Sequence, residues 1–378
     1  MPKSTDTVVI LDQASGYLQI DMLEAYATKY SHRAIIAGSI VERGSPLPSD
    51  VKWHKITPYN RDSAFNRIRT WLSATFSMLW IVLLKYRNAH VVAITNPPFT
   101  PFVPWLTGRS FDILIYDMYP DALVHYGYTK SSGVIFRIWS ALNRRAFKKA
   151  RKVFTLTEGM KRLASQYVAT EDQIEIVPLW SDASDFKFIA KEENLILKAT
   201  QSLGKFVLVY SGNLGLTHPV EKLVELGHYL DPDKFSIVII GGGAKQKMLE
   251  KLLQKKAFSH VHLLPWQPIE NLSHNLYAAD LNVVTLDSQA SDLSIPSKTF
   301  NILSIGNPVL GICSESSGLA ELINQYDCGL TSSGEDLQEL AQQLIKLEAE
   351  RTELDRLKEN SSLASTHFTK ENAKAFVQ

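Results

Sequence analysis

The sequence predicts an α/β protein of two doubly wound, Rossmann-like domains facing each other across a cleft. Two observations carry this expectation. Strand-like runs alternate with helix-like runs along the whole chain, the pattern of a mostly parallel sheet covered by helices. The 378 residues also exceed what one hydrophobic core normally organises.

In the first half, strands are expected at Val8–Leu11, Ala34–Ala37, Lys52–Ile56, Val91–Thr95, Ile113–Tyr116, Val153–Thr157 and Ile174–Val177. Asp12-Gln13-Ala14-Ser15-Gly16 leads from the first strand into a helix from about Gln19 to Lys29. The longest apolar stretch, Trp71–Leu84, is bracketed by Arg69 and Lys85. It falls short of the ~20 residues that cross a bilayer. A buried helix is expected there, with partial insertion into a membrane surface as the alternative.

Polar residues 183–203 read as a linker, and the pattern then restarts. Strands are expected at Phe206–Tyr210, Phe235–Ile240, Val261–Leu264, Leu281–Leu286 and Pro308–Ile312. Helices fall at Val220–Tyr229, 244–256, 270–279, Lys298–Ile305, 316–325 and 335–356. The domains are therefore placed at 1–185 and 195–358. The tail 360–378, helical over His367–Phe376, is expected to pack back on the first domain.

Composition is that of a folded protein, 45% hydrophobic and 21% charged. The net charge of +1 hides an asymmetry. Residues 1–185 hold 22 Lys/Arg against 16 Asp/Glu, and the remainder 18 against 23. The basic half would meet an anionic surface or substrate. Cys313 and Cys328 form no CxxC motif, so neither zinc nor a disulfide framework is expected. The N-terminus runs directly into a strand without a secretory signal. A cytoplasmic location is expected.

In open α/β sheets ligands bind at the carboxyl ends of the strands, so the βα turns are the candidate sites. Tyr210-Ser211-Gly212-Asn213-Leu214-Gly215-Leu216-Thr217-His218 is a small-residue turn that would admit an anion such as a diphosphate. Ile240-Gly241-Gly242-Gly243 is a second close-approach turn. Gly241 and Gly243 fit the start of a dinucleotide fingerprint, but Gln246 stands where its third glycine belongs. That disfavours a nicotinamide dehydrogenase.

Pro296-Ser297-Lys298-Thr299 suits a helix start, with Ser297 as cap. A lysine there opposes the helix dipole, a conflict that a bound phosphate removes. Each of these turns also has a plain structural reading: a tight turn, or a lysine in water.

Tyr116-Asp117-Met118-Tyr119-Pro120-Asp121 places two carboxylates among aromatics past an apolar strand. It reads as a sugar-binding and proton-handling rim, or as helix capping by Asp121. His125 follows and ranks below Asp117. Asn96-Pro97-Pro98 stiffens a loop that shapes a pocket or merely ends a strand. The segment 136–153 carries seven basic residues, no acidic ones and an apolar face. It would lie on anionic lipid or form a solvated face. No nucleic-acid motif is present. Asp231-Pro232-Asp233 spells DxD, but it precedes a strand at the wrong edge of the sheet and reads as a turn.

The second half resembles the donor domain of glycosyltransferase family 4, which has the GT-B fold. The resemblance rests on the turns at Gly212 and Gly241–Gly243 and on Leu264-Pro265-Trp266-Gln267-Pro268. It rests also on Ala278-Ala279-Asp280-Leu281, Pro296-Ser297-Lys298 and Gly306-Asn307-Pro308 in the family's order. Tyr116–Asp121 and Thr157-Glu158-Gly159-Met160 resemble a subgroup that assembles bacterial exopolysaccharide, the colanic-acid type.

The resemblance implies a retaining, hexosyltransferase-type enzyme needing no metal or cofactor, with a nucleoside-diphosphate sugar as co-substrate. Its acceptor would be a saccharide or lipid-linked saccharide, met by the first domain at Asn96, Tyr119 and Asp121. Catalytic roles fall to Asp117, Lys298 and His125. The donor would be met by Gly16, Gly212, Asn213, His218, Gly241, Gly242, Ser297, Lys298 and Thr299. Trp266 and Gln267 would read the base.

The family's two glutamates fall here at Leu293 and Asn301. Asn301 still reaches a ribose hydroxyl, and Asp292 and Ser294 flank the lost carboxylate. A peripheral place on the inner face of the plasma membrane, through the helix 136–153, fits such an enzyme. A sugar-nucleotide epimerase and a non-catalytic binder remain as alternatives. An epimerase needs no acceptor, and a binder shows no turnover.

Overall fold

The computed structural model describes residues 6–60, 62–125, 127, 129–215, 218–287 and 295–377, without the side chain of His125. It divides into two units, Met1–Leu179 with Lys370–Gln378, and Trp180–Thr369.

Unit 1 contains β1 (Thr7–Leu11), β2 (Ala14–Gly16), β3 (His32–Ala37), β4 (Ser39–Val41), β5 (Lys52–Lys55), β6 (His90–Ile94), β7 (Phe111–Leu114), β8 (Val153–Thr155) and β9 (Ile174–Ile176). Seven of them form one parallel sheet in the order β5-β3-β1-β6-β7-β8-β9, and β2 pairs with β4 separately. β1 lies at the centre, and Val8–Leu11 are fully buried. Continuous apolar strands are what a sheet covered on both faces requires. Strand order reverses between β1 and β6, so the loops after these two strands flank the ligand crevice of this fold.

Its helices are α1 (Tyr17–Tyr26), α2 (Ala64–Lys85), α3 (Phe102–Thr107), α4 (Asp121–His125), α5 (Val134–Phe147) and α6 (Glu158–Ser165). The Ser63 hydroxyl caps α2 by accepting from the Asn66 N–H at 3.1 Å. Thr157 caps α6 in the same way through Met160. The expected buried helix at Trp71–Leu84 is buried on one side only. Trp71, Ala74, Met78 and Val82 face the core, while the opposite face is exposed.

Unit 2 repeats the plan with β10 (Phe206–Ser211), β11 (Phe235–Ile240), β12 (Val261–Leu264), β13 (Leu281–Thr285), β14 (Val309–Ile312) and β15 (Gly329–Ser332). Their order is β12-β11-β10-β13-β14-β15, all parallel, and it reverses between β10 and β13. The helices are α7 (Leu195–Ala199), α8 (Glu221–Leu226), α9 (Gln246–Lys256), α10 (Leu272–Tyr277), α11 (Lys298–Ser304), α12 (Gly318–Tyr326), α13 (Leu337–Ala349) and α14 (Arg351–Ser365).

Several expectations change. The stretch 183–203 is not a free linker. Asn194 caps α7, whose Ile196 and Leu197 are buried against Val207 and Val209. The edge strand β15 was not anticipated, because Gly329-Leu330-Thr331-Ser332 is short, half-buried and starts on glycine. The single helix expected over 335–356 is two, divided at Glu350. Residues 360–369 stay with unit 2, and only Lys370–Gln378 return to unit 1. There a 3-10 turn, Lys370–Phe376, packs on α1, and the Phe376 ring lies 4.6 Å from that of Phe154.

Candidate functional site

In unit 2 the turns after β10 and β11 pack backbone to backbone at the strand-order reversal. The Gly212 N–H donates to the Ile240 carbonyl at 2.9 Å, and the Leu214 N–H to that of Gly242 at 3.0 Å. Gly241 and Gly243 hold φ of +149° and +152°, which side chains rarely adopt. A β-carbon on Gly241 would stand 1.9 Å from the Gly212 carbonyl oxygen. The close approach read from these glycines is thus first an approach of the two turns to each other.

Lys298 opens α11 and returns over this junction. Its Nζ lies 3.6 Å from the Tyr210 ring centroid and 3.0 Å from where a Gly212 β-carbon would be. The nitrogen is buried, with no hydrogen-bond partner among the described residues. Burial alone pushes its pKa down to about 7. The cation–π contact offsets part of the cost of an unpaired ammonium, and an anion at this point would offset the rest.

Tyr210 is held by its hydroxyl, which donates to the Asn213 carbonyl at 2.7 Å. His218 hydrogen-bonds through Nδ1 to the Thr285 carbonyl at 2.9 Å, which fixes the proton on that nitrogen. Burial, and then the Lys298 charge, lower its pKa, so it stays neutral at pH 7.

A second cation stands beside His218. Lys245 Nζ donates to the His218 carbonyl at 2.9 Å and to both Glu221 oxygens at 3.0 and 2.8 Å. The sequence reading overlooked it. Its position just past Gly241-Gly242-Gly243 was the available signal.

The other donor candidates divide. Trp266 is exposed, with its ring beside Gly242: a β-carbon there would meet it at 2.9 Å. Gln267 is half-buried and donates to the Pro265 carbonyl at 3.1 Å. The Asn213 side chain fills the space between Gly215 and Gly243. Ser297 does not cap α11, since it is already helical and makes no side-chain capping bond. The Thr299 hydroxyl is buried without a partner among the described residues, and Asn301 is half-buried one turn after Lys298. Asp292 and Ser294 lie outside the described residues. Asp231-Pro232-Asp233 sits at the amino end of β11, with the Asp231 carboxylate closing a local turn onto the Asp233 N–H.

In unit 1 a pocket of about 450 Å³ opens at the other reversal point. Asn96, Asp117 and Tyr119 line it together with Ala14, Tyr59, Trp71, Thr95, Pro98 and Tyr116. Trp71 stacks on Tyr59 at 6.0 Å and meets the edge of Tyr119 at 5.5 Å. The Thr95 hydroxyl accepts from the N–H groups of Tyr116 and Asp117 at 3.0 and 3.3 Å, which places Asp117 at the rim.

Behind the pocket lies Asp12, fully buried and missed by the sequence reading. It accepts from Asn96 Nδ2 at 3.1 Å, Ser15 Oγ at 3.1 Å and the Ala14 N–H at 3.3 Å. Burial outweighs these bonds and pushes its pKa up to about 7. Gln13 ties the same turn to the carbonyls of Thr57 and Thr70, both at 3.0 Å.

Two expected residues are placed differently, and a third is not described. Asp121 does not line the pocket; it accepts from the Tyr167 hydroxyl at 2.6 Å and Gln166 Nε2 at 3.1 Å, a structural tie. The Gly16 N–H is committed to Gln19 Oε1 at 2.8 Å, in the cap of α1. His125 ends α4, and its side chain lies outside the described residues.

Residues 192–363 match the family model described as glycosyl transferases group 1. Over 247 residues the chain is 21% identical to a protein of Pseudomonas aeruginosa described as the glycosyltransferase WbjE, covering 64% of this chain and 62% of that one. Over 225 residues it is 24% identical to WcaI of Escherichia coli strain K12, described as a colanic acid biosynthesis glycosyl transferase. That match covers 58% of this chain and 55% of WcaI, so the chain spans about six-tenths of the length of both relatives. Among solved structures it resembles Anabaena HepE in complex with UDP-glucose, with a TM-score of 0.72 and 12% identity over 98% of both chains. The fold of the chain is that of the GT-B glycosyltransferases, two Rossmann-like α/β domains.

Proposed function

We propose that this chain is a retaining glycosyltransferase of the hexosyltransferase type. It moves a sugar from a nucleoside-diphosphate sugar to a saccharide or lipid-linked saccharide, in the biosynthesis of a cell-surface polysaccharide. The observation that carries this reading is the Lys298 ammonium, buried over Gly212 with no partner among the described residues. A diphosphate seated there supplies the missing anion. The names of the relatives, and the UDP-glucose bound by HepE, support a sugar nucleotide as that ligand.

The chemistry follows from charge. Breaking the bond between sugar and phosphate loads negative charge on the leaving diphosphate. Lys298 is held in place by Tyr210 before the reaction begins, so it stabilises that charge with little reorganisation. Bound diphosphate also restores the lysine to its charged form. Trp266 and Gln267 meet the base, and Asn301 the ribose. In unit 1 the aromatic walls of the pocket suit the C–H faces of a sugar, while Asn96 and Asp117 suit its hydroxyls. The leaving phosphate takes the acceptor proton, and Asp117 orients the attacking hydroxyl. The reaction needs no metal and no cofactor.

Thermal-shift measurements with UDP, GDP and their sugars test the donor, since a ligand of the folded state raises the melting temperature. The reading expects one nucleotide sugar to stabilise the chain and EDTA to leave transfer unchanged. Absence of any nucleotide response in the native chain would overturn it.

A further inference from the structure

We infer that unit 1 docks on the surface of an anionic lipid bilayer through the outer face of α2. This inference stands apart from the reading of the donor site. Phe65, Ile68, Leu72, Phe76, Trp80 and Leu84 recur at steps of three and four residues, so they form one stripe along the helix. All six are exposed, Phe65 by 76% and Leu84 by 71%. The opposite face, with Trp71, Ala74, Met78 and Val82, is buried in unit 1. A soluble face normally carries scattered apolar residues and not a continuous run of large ones.

Charge decides what covers the stripe. Residues 63–111 and 122–157 contain no Asp or Glu. Arg69 and Lys85 are exposed on α2, Arg137 and Arg145 on α5, and Lys148 and Lys149 just past its end. None of the six forms an ion pair among the described residues. The helix α3 touches both α2 and α5 and exposes Leu106; α5 itself exposes Val134, Ile135 and Ile138. Large apolar residues beside unpaired cations match the boundary between acyl chains and anionic headgroups.

A bilayer-spanning placement fits less well. Arg69 and Lys85 leave a run of about 22 Å between them at 1.5 Å per residue, against a hydrocarbon core of about 30 Å. Crossing would also strip the buried face from its core. Beneath the surface, Phe99 stacks on Trp139 of α5 at 4.8 Å and meets Trp71 at 6.5 Å. The helix that carries the docking stripe therefore lends Trp71, from its buried side, to the unit 1 pocket.

The test is sedimentation of the full chain with vesicles of phosphatidylcholine alone, or of phosphatidylcholine with phosphatidylglycerol as the minor component. The native chain is expected to pellet with the anionic vesicles, and less so in high salt. Phe76→Ser with Leu84→Ser should weaken that binding by at least about tenfold. Both side chains are exposed, so the melting temperature should hold. If it falls, Arg145→Glu with Lys149→Glu carries the same test by charge. The tryptophan emission of the native chain should also shift to the blue on anionic vesicles, and less so in Trp80→Phe. Undiminished vesicle binding by both paired variants overturns the inference. So does a dimer in sedimentation that the Phe76/Leu84 pair abolishes, because a second copy then covers the stripe. Retention on vesicles through a carbonate wash also overturns it, since α2 would then span.

Discussion

Lys298 Nζ fills the space beside the α-carbon of Gly212, 3.0 Å from where a β-carbon would stand. A lysine from one βα turn and a glycine from another thus define one small volume in unit 2. The lysine end is flexible and the Gly212 backbone is not, so the glycine sets how closely anything reaches the ammonium. From this pair the behaviour of two neighbouring glycines can be separated.

Gly212→Ala is expected to leave the fold intact and damage function. Gly212 has no positive φ, and only a movable lysine tip opposes the new methyl. Gly241→Ala is expected to destabilise unit 2 by several kcal/mol, because the β-carbon collides with backbone at 1.9 Å and φ is +149°. Melting curves with donor titrations distinguish them. Equal stability loss in both variants would contradict this geometry.

Lys298→Met is expected to stabilise the ligand-free chain while abolishing its response to donor. The folded pKa of about 7 lies below the ordinary lysine value of 10.5. Between those values the unfolded chain binds one more proton, so stability rises with pH by up to about 1.4 kcal/mol per unit. The cost of the buried ammonium is complete below pH 7. In Lys298→Met this slope should vanish, with turnover down by at least about 30-fold, or ~2 kcal/mol of barrier. Denaturant melts across pH 6–10 would show it. An unchanged slope means the ammonium is already paired.

The sequence exposed what periodicity and punctuation encode. All seven strands of the unit 1 sheet were legible in the alternation of strand-like and helix-like runs, and in unit 2 the turns at Gly212, Gly241 and Lys298 as breaks in it. What stayed hidden depends on the third dimension. Asp12 carries no signal in a short turn segment, and only its burial behind Asn96 marks it. Lys245 drew no reading at all, because only its bond to the His218 carbonyl shows its part. Asp121 showed the reverse: a promising carboxylate that Tyr167 holds. The stretch Trp71–Leu84 read as a buried helix or one inserted in a membrane surface, because composition reports apolarity but not which side is covered.

Asp12→Asn is expected to remove an opposite pH dependence from unit 1. The Asp12 pKa of about 7 stands above the ordinary aspartate value of 3.8. Between those values the folded state binds the extra proton, so stability falls as pH rises, by up to about 1.4 kcal/mol per unit, and the loss is complete above pH 7. An asparagine oxygen can still accept from Asn96 and the Ala14 N–H, and its amide can donate to Ser15 Oγ. The variant should come nearest the native chain at about pH 4, draw ahead of it as pH rises to 7, and keep that advantage at pH 8. Lower stability at pH 8 would show that the carboxylate is stabilised rather than strained.

Asp117→Asn separates acceptor orientation from proton transfer. If the leaving phosphate takes the proton, the loss should appear mainly in the acceptor KM, with kcat/KM down about 10- to 100-fold, the worth of one charge-assisted hydrogen bond. Trp71→Leu should raise the same KM by removing an aromatic wall of the pocket, and neither variant should alter donor affinity. Asp117 at the rim and Trp71 in the wall line one pocket, so their effects should depart from additivity in the double variant. Steady-state kinetics with varied acceptor decide the matter. A kcat loss near 10³-fold at unchanged KM would instead make Asp117 the general base, in the range such groups contribute.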